Sequence, residues 1–318
     1  MDKLCYIGID TSNYTTSVAL VTEGGEVVAN LKAPLPVKAG ECGLRQSDAV
    51  FAHIKNLPFL MRQLREILPA YRVAAVGVSA RPRDIEGSYM PCFLSGVAAA
   101  EALAAGLGVP LYSFSHQGGH LAAALYSAKA EHLLDSAAFG AFHVSGGTTD
   151  MLFVKPLRSE FFVEQVGGSA DLHAGQAVDR IGVALGLSFP CGPALEELAL
   201  RCTARVPRPR ISVRDGVCNL SGLENLALKL YRESGDPALA AAYTLSFLAE
   251  TLAAMAEDLR AREGNIPIVF AGGVMSNRMI ARALSERLEN LYFAEPQFSA
   301  DNAAGVALLC RRRAMSQT

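Results

Sequence analysis

His116 and His120 stand four residues apart in SHQGGHLAAAL, a segment that reads as a helix start capped by Ser115. That spacing puts both imidazoles on one helical face, where they could meet a single metal ion or be two polar residues at a helix start. Asp301, in FSADNAAGVALL, could add a carboxylate to the pair, or cap the Ala-rich run that follows it. The histidine pair lacks the intervening glutamate of HExxH, so it has no general base for zinc-dependent peptide hydrolysis. A second group lies in IVFAGGVMSNRMIARAL: a strand from Ile268 to Phe270, a Gly272-Gly273 turn, and a helix with Asn277 in its first turn. Glycines admit a ligand close to the backbone and a helix start offers unpaired N–H groups, which suits a nucleoside or phosphate; ordinary tight packing of strand on helix needs the same glycines. A third lies in GQAVDRIGVALGLSFPCGPALEEL, where Asp179 sits mid-helix beside Arg180 and Gly192-Pro193 opens the next helix. On its own such an aspartate reads as a solvated surface residue. Arg205, Arg208, Arg210 and Arg214 share a proline-containing loop that could contact RNA or simply be exposed.

Around these residues the chain alternates strands and helices. Ile7 and Ile9, a small-polar loop from Thr11 to Thr16, Val18 to Val21, a Gly24-Gly25 turn and Val27 to Leu31 read as a β-meander. A helix starting on an Asp48 cap, with Pro58 inside it, follows. A strand is expected at Val73–Ser79, a helix at Pro91–Leu107 and a strand at Pro110–Ser113. The pattern then restarts: FGAFHVSGGTTDMLFVKP is again strand, small-polar glycine loop and strand, about 135 residues after the first. Two halves that each offer a hairpin loop could hold the phosphates of one nucleotide between them. Helices are expected at His173–Leu187, Pro193–Cys202, Leu223–Arg232 and Pro237–Arg262, the last with a good start signal in Asp236-Pro237. The expected division is a lobe of residues 1–135 plus 296–318 and a lobe of residues 136–295.

Composition fits a globular protein. The 318 residues are 51% hydrophobic and 19% charged, with 29 Lys+Arg against 31 Asp+Glu and a formal net charge of −2. A chain that coats nucleic acid by bulk electrostatics would concentrate lysine and arginine, so any nucleic-acid contact must come from a local patch or a partner. The seven cysteines form no CxxC pair and point to a reducing, cytoplasmic setting rather than a disulfide framework or a cysteine zinc site. The start MDKLCYIGID does not read as a signal peptide, and the uncharged stretch from Ala102 to Lys129 is interrupted by Gly106, Gly108, Pro110 and Gln117. No membrane association is expected.

Taken in order along nearly the whole chain, these pieces resemble the TsaD family, formerly called Gcp or O-sialoglycoprotein endopeptidase. The carrying features are the strand–loop start, HxxxH, the SGG loop, G-x-A-x-D with Gly-Pro beyond it, GGVxxN and the late D-N-A-A. The resemblance implies an α/β actin-like ATPase (ASKHA) fold, two similar lobes around a nucleotide cleft. It implies transfer of a threonylcarbamoyl group from threonylcarbamoyl-adenylate to N6 of adenosine 37 in tRNA. By the same resemblance His116, His120 and Asp301 match the family's ligands to one divalent metal, iron or zinc. Ser145, Gly146 and Gly147 match its nucleotide or acyl-adenylate loop, and Asp179, Gly192 and Asn277 its substrate-binding positions. Asp10, in the first loop, is the expected catalytic carboxylate. The implied ligands are ATP, AMP or threonylcarbamoyl-adenylate, and the implied partners are tRNA, pathway proteins that deliver it, and a second subunit in a homo- or heterodimer.

Several positions depart from the family pattern. The first loop usually reads ETSCDET and here runs Asp10-Thr11-Ser12-Asn13-Tyr14-Thr15-Thr16, with Tyr14 and Thr15 where acids stand. Arg81-Pro82-Arg83-Asp84 replaces a GPG-containing loop, which puts two cationic side chains where backbone would approach closely. The alternative expectation is therefore a non-catalytic or repurposed adenine-nucleotide-binding paralogue, acting as an assembly or regulatory module. A small-molecule kinase of the same fold would leave the HxxxH pair without a role.

Overall fold

The structure, a computed structural model, describes residues 3–12, 14–36, 44–157, 160–299 and 301–317. Asn13 and Cys42, both noted above, lie outside the described residues. The chain divides into two compact units: residues 1–136, 155–162 and 297–318, and residues 137–154 and 163–296.

The first unit is built on β1 (Lys3–Thr11), β2 (Thr15–Thr22), β3 (Val27–Pro34), β4 (Tyr71–Arg81) and β5 (Leu111–Ser115), in the sheet order β3-β2-β1-β4-β5. β1 runs antiparallel to β2 and parallel to β4, and β4 runs parallel to β5. The two-residue period of β1 divides its side chains between two layers. Cys5, Ile7 and Ile9 pack with Leu57, Leu60 and Leu64 of α1 (Gln46–Ile67) and Ala100 and Ala104 of α2 (Phe93–Leu107). Gly8 points the other way, where a Cβ would stand 2.5 Å from the Ala303 carbonyl oxygen, so the chain entering the last helix rests directly on the strand. The helix expected to start on an Asp48 cap begins earlier. Arg45 occupies the capping position with no side-chain cap, and Asp48 lies in the first turn, where a carboxylate favours the positive end of the helix dipole. α3 (His116–Ser127) follows β5 without a break, capped by Ser115 as the sequence predicts, its side chain accepting from the Gly118 amide at 3.0 Å.

The second unit carries β6 (Phe139–Val144), β7 (Thr149–Leu157) up to Val154, β8 (Glu160–Ser169) from Val163, α4 (Ala174–Ala184), α5 (Gly192–Ala199), β9 (Val213–Arg214), β10 (Val217–Cys218), α6 (Ser221–Ser234), α7 (Pro237–Glu263), β11 (Ile268–Ala271), α8 (Arg278–Arg287) and β12 (Leu291–Phe293). Its sheet order is β12-β11-β6-β7-β8-β10-β9. Read from the other edge, β8-β7-β6-β11-β12 repeats the order β3-β2-β1-β4-β5, with antiparallel β6·β7 and parallel β6·β11 and β11·β12. The restart in the sequence is thus a restart in topology. α7 is the one described helix long and apolar enough to cross a membrane, and it is buried among α5, α6 and α8. Its Phe247, Leu248 and Leu252 are core residues, each worth about 1.5–3 kcal/mol on burial. α9 (Pro296–Ser299) and α10 (Ala304–Met315) end the chain.

Candidate metal centre and nucleotide pocket

His116 and His120 sit on the first turns of α3, and their rings meet edge to face with centroids 4.3 Å apart. α10 is brought to them by a contact of backbone on backbone. A Cβ on Gly305 would stand 1.8 Å from the Gly119 carbonyl oxygen, so glycine is required where α10 crosses α3. One turn upstream, Asp301 faces the imidazoles. It does not cap α10: Ala303 is the N-cap, without a side-chain cap, and Asn302 before it braces the turn, its Oδ1 accepting from the Ala304 amide at 3.1 Å while its Nδ2 donates to the Phe298 carbonyl at 3.0 Å. Capping, the alternative that the local sequence offers for Asp301, is therefore not its role.

The His116 and His120 Nε2 atoms are 2.9 Å apart, and Asp301 Oδ1 is 3.5 and 3.3 Å from them. Metal–ligand bonds of about 2.0–2.2 Å place neighbouring donors about 3.0–3.5 Å apart, so this triangle has the size of one face of a coordination sphere. Two imidazoles and a carboxylate suit iron or zinc and leave further positions open for substrate. Among the described residues, these three form the group of His, Cys, Asp and Glu side chains that could hold a metal ion.

Behind His116 stands Asp10, fully buried at the end of β1. Its Oδ1 is 2.9 Å from His116 Nδ1 and accepts from the Ser79 hydroxyl, while Oδ2 accepts from the Ser12 amide at 3.3 Å. A proton held on Nδ1 by Asp10 would leave Nε2 as the ring nitrogen that gives up its proton and offers a lone pair when a metal binds. Burial opposes ionisation of Asp10, but the charge and hydrogen bond of His116 outweigh it and hold the carboxyl below its ordinary value. Burial likewise opposes charge on His116, and the facing Asp10 and Asp301 carboxylates override it and push its pKa upward. Asp301 is held far down by hydrogen bonds from both imidazoles and by their charge, against the effect of burial. The basic loop after β4 is braced in the same unit. Arg81 is not free to meet a ligand: its guanidinium donates to Asp84 at 2.6 and 3.1 Å, and Asp84 accepts from the Ser115 hydroxyl at 2.5 Å. Arg83 is exposed, and so is Tyr14.

The second unit holds a cavity of about 280 Å³ whose walls include Gly146, Asp179, Gly192, Glu196 and Asn277 together with the apolar Val178, Leu245, Val274 and Ile280. Ser145 shapes its SGG loop, with Oγ accepting from the Gly147 and Thr148 amides at 3.2 Å each. Gly175 lies so close to this loop that a Cβ there would stand 2.6 Å from the Gly146 nitrogen. Asp179 is half-buried rather than a free surface residue, with Oδ1 accepting from the Cys191 amide at 2.8 Å, and this bond ties α4 to the start of α5. Asn277 is the N-cap of α8 rather than a residue of its first turn; its Oδ1 accepts from the Ile280 amide at 3.0 Å. Glu196 was not singled out by sequence reasoning. Its Oε1 accepts from the Arg278 and Met279 amides at 2.7 and 3.3 Å, so it anchors the start of α8 against the cavity. The signal available was its place one helical turn beyond Gly192. Flat apolar walls with two carboxylates and a carboxamide suit a purine nucleoside, whose ring takes the walls and whose hydroxyls take the acceptors.

Comparison with known proteins gives the chain's family and fold. The model of a family described as TsaD, tRNA N6-adenosine threonylcarbamoyltransferase, matches residues 46–308. The tRNA N6-adenosine threonylcarbamoyltransferase of one Thermus thermophilus strain is 30% identical over 327 residues, covering 98% of this chain and 93% of that protein. Its counterpart in a second strain of the same species is 30% identical over 321 residues, covering 96% of this chain and 92% of that protein. Among solved structures, full-length HypF in its phosphate- and nucleotide-bound form superposes with a TM-score of 0.62 at 13% identity, covering 98% of this chain and 55% of that one. Component A of the Acidaminococcus fermentans (R)-2-hydroxyglutaryl-CoA dehydratase superposes with a TM-score of 0.54 at 15% identity, over 98% and 99% of the two chains. These structural likenesses show the fold, the α/β actin-like ATPase fold, and nothing of the chemistry.

Proposed function

This chain belongs to the TsaD family, and from that premise we propose that it transfers a threonylcarbamoyl group from threonylcarbamoyl-adenylate to N6 of adenosine 37 in tRNA. The observation that carries the proposal is the convergence of His116, His120 and Asp301 at donor spacings of 2.9 to 3.5 Å. These three side chains hold the divalent ion, iron or zinc. The bound metal would supply a Lewis acid that grips the threonylcarbamoyl group and polarises its carbonyl. Asp10 is a positioning residue: it fixes the His116 proton on Nδ1 and the ring against Asp301. The pocket of the second unit takes the adenylate, with Gly146 and the loop shaped by Ser145 and Gly147 at the phosphate, the Val178 and Ile280 walls on the adenine, and Asp179, Gly192 and Asn277 around the ribose. An exocyclic adenine amine is a weak nucleophile, so the residues accelerate transfer by holding amine and acyl carbon in line rather than through a covalent enzyme intermediate. A near-neutral chain acting on tRNA draws on partner proteins for delivery and works in the cytoplasm.

The test is transfer itself. The full chain, given threonylcarbamoyl-adenylate, an unmodified tRNA and its pathway partners, is expected to yield threonylcarbamoyladenosine in digested tRNA, and His116→Ala is expected to yield none. A second reading is favoured by Tyr14 and Thr15, which stand where the family carries acids. On that reading the chain is a nucleotide-binding module without transferase activity. Adenine nucleotide binding with no product, under conditions where a relative from the family works, would select it.

A further inference from the structure

The loop between α5 and β9 runs Arg205-Val206-Pro207-Arg208-Pro209-Arg210. Two prolines fix their own φ and keep Val206 and Arg208, the residues before them, extended. No regular element forms between Ala204 and Ile211. In an extended chain of three residues per turn, Arg205 and Arg208 project from one side about 9 Å apart along the axis. They face an open cavity of about 720 Å³, walled on the far side by Ser246 and Glu250 of α7 and Arg287 of α8.

Some arginines have a carboxylate in reach: Arg81 has Asp84, Arg262 has Asp258, Arg282 has Glu286 and Arg312 has Asp135. Glu250, the one acid in the cavity, is engaged by Arg287 at 2.8 Å. Arg205 and Arg208 are exposed and have no ion-pair or hydrogen-bond partner among the described residues. Arg287 is also paired with Glu257 at 2.6 Å, so Arg205 and Arg208 are the cations of the cavity without a carboxylate partner among the described residues.

We propose that this arginine–proline loop and the cavity it borders form a contact surface for the phosphate backbone of the RNA substrate. The inference rests on the transfer reading above for the identity of the RNA. The prolines restrict the backbone that carries these guanidiniums, so less backbone entropy is lost on meeting phosphates, and the planar forks bind phosphate oxygens two at a time. A chain of net charge −2 meets RNA through a local patch or a partner, and this loop is such a patch. The cavity leans on α7 and α8, the helices that also supply Leu245 and Ile280 to the nucleotide pocket.

The experiment measures binding of an unmodified tRNA transcript to the full chain across a salt series, for the parent, Arg205→Ala/Arg208→Ala and Arg205→Lys/Arg208→Lys. Losing two phosphate contacts should flatten the slope of log K against log salt by about 1.4, worth about tenfold in affinity at 0.15 M salt. The lysine variant keeps the charges and should retain most of the slope. The thermal midpoint should not move, because the replaced side chains are exposed. A parent that binds no tRNA, or an alanine variant with unchanged affinity and slope, overturns the proposal. So does polyglutamate binding as tight as tRNA and equally weakened by the substitution, which would seat an acidic protein there. Transfer is scored separately: arginine-dependent tRNA binding without product refutes the transfer reading and leaves this surface standing.

Discussion

Gly305→Ala should damage metal binding more than it damages the fold. The new Cβ would lie 1.8 Å from the Gly119 carbonyl oxygen, 2.7 Å from its carbonyl carbon and 2.9 Å from the Ala123 nitrogen. All three are backbone atoms of α3, so no side chain can swing aside. Ordinary contact begins near 3.4 Å, so α10 must retreat from α3 by about 1.6 Å at this point. Overpacking of this kind costs about 1–3 kcal/mol, or about 1.5–4.5 °C in thermal midpoint for a chain of this size. The larger consequence falls on Asp301, one turn away, whose oxygen is 3.3 Å from His120 Nε2. Ligand distances must hold within about 0.2 Å, so a retreat several times larger removes the carboxylate from a shared ion. Metal per chain after dialysis against a weak chelator, with a thermal melt on the same sample, reads both effects. Gly106→Ala is the control, because a Cβ there meets nothing within 4 Å and the site is inside α2; it should keep metal and gain about 0.5–1 kcal/mol. If Gly305→Ala keeps the parent's metal and midpoint, the crossing of α3 and α10 does not build the site.

Three further outcomes follow from the same contacts. Asp10→Asn puts an amide where one oxygen serves both Ser79 and His116, and chelator competition should show metal held about 10- to 100-fold more weakly, whereas unchanged affinity would remove Asp10 from the centre. Asp171 is held well below its ordinary pKa; burial opposes this, but hydrogen bonds from the Ser221 hydroxyl and the Leu220, Leu172 and Ser221 amides prevail. A depressed carboxyl stabilises the fold above the unfolded pKa of about 4 and loses that contribution as pH falls through the folded value, so the stability gap between parent and Asp171→Asn should close from pH 5 downward, and a gap constant to pH 3 would contradict this. Burial pushes the Cys5, Cys92 and Cys218 thiols up to about 11, so iodoacetamide at pH 8 should label them at least about tenfold more slowly in the native chain than in urea, and equal rates would show that these sites are open.

The shared face of His116 and His120 was legible because a four-residue spacing fixes it in any helix. Asp301 was not, since its local signature is that of a cap. Only the structure shows that Ala303 holds the cap position and that Asp301 faces the histidines. Asp10 was legible as a loop carboxylate, but its place behind an imidazole depends on β1 and β5 flanking β4, a sheet order no local pattern encodes. The repeated strand–loop–strand read correctly as a repeated topology, because alternation and glycine turns are local. Glu196 and the contact of Gly119 with Gly305 stayed hidden for the opposite reason: each matters through an element distant in sequence, and nothing in its neighbourhood sets it apart.

The central claim is that two imidazoles of α3 and the carboxylate ahead of α10 share one ion. Anomalous diffraction at the iron and zinc edges, from crystals of the full chain grown with each metal, tests it most directly. The account predicts one strong peak about 2.0–2.2 Å from His116 Nε2, His120 Nε2 and an Asp301 oxygen. A metal bound elsewhere, or no peak at this triangle with either ion, would contradict it.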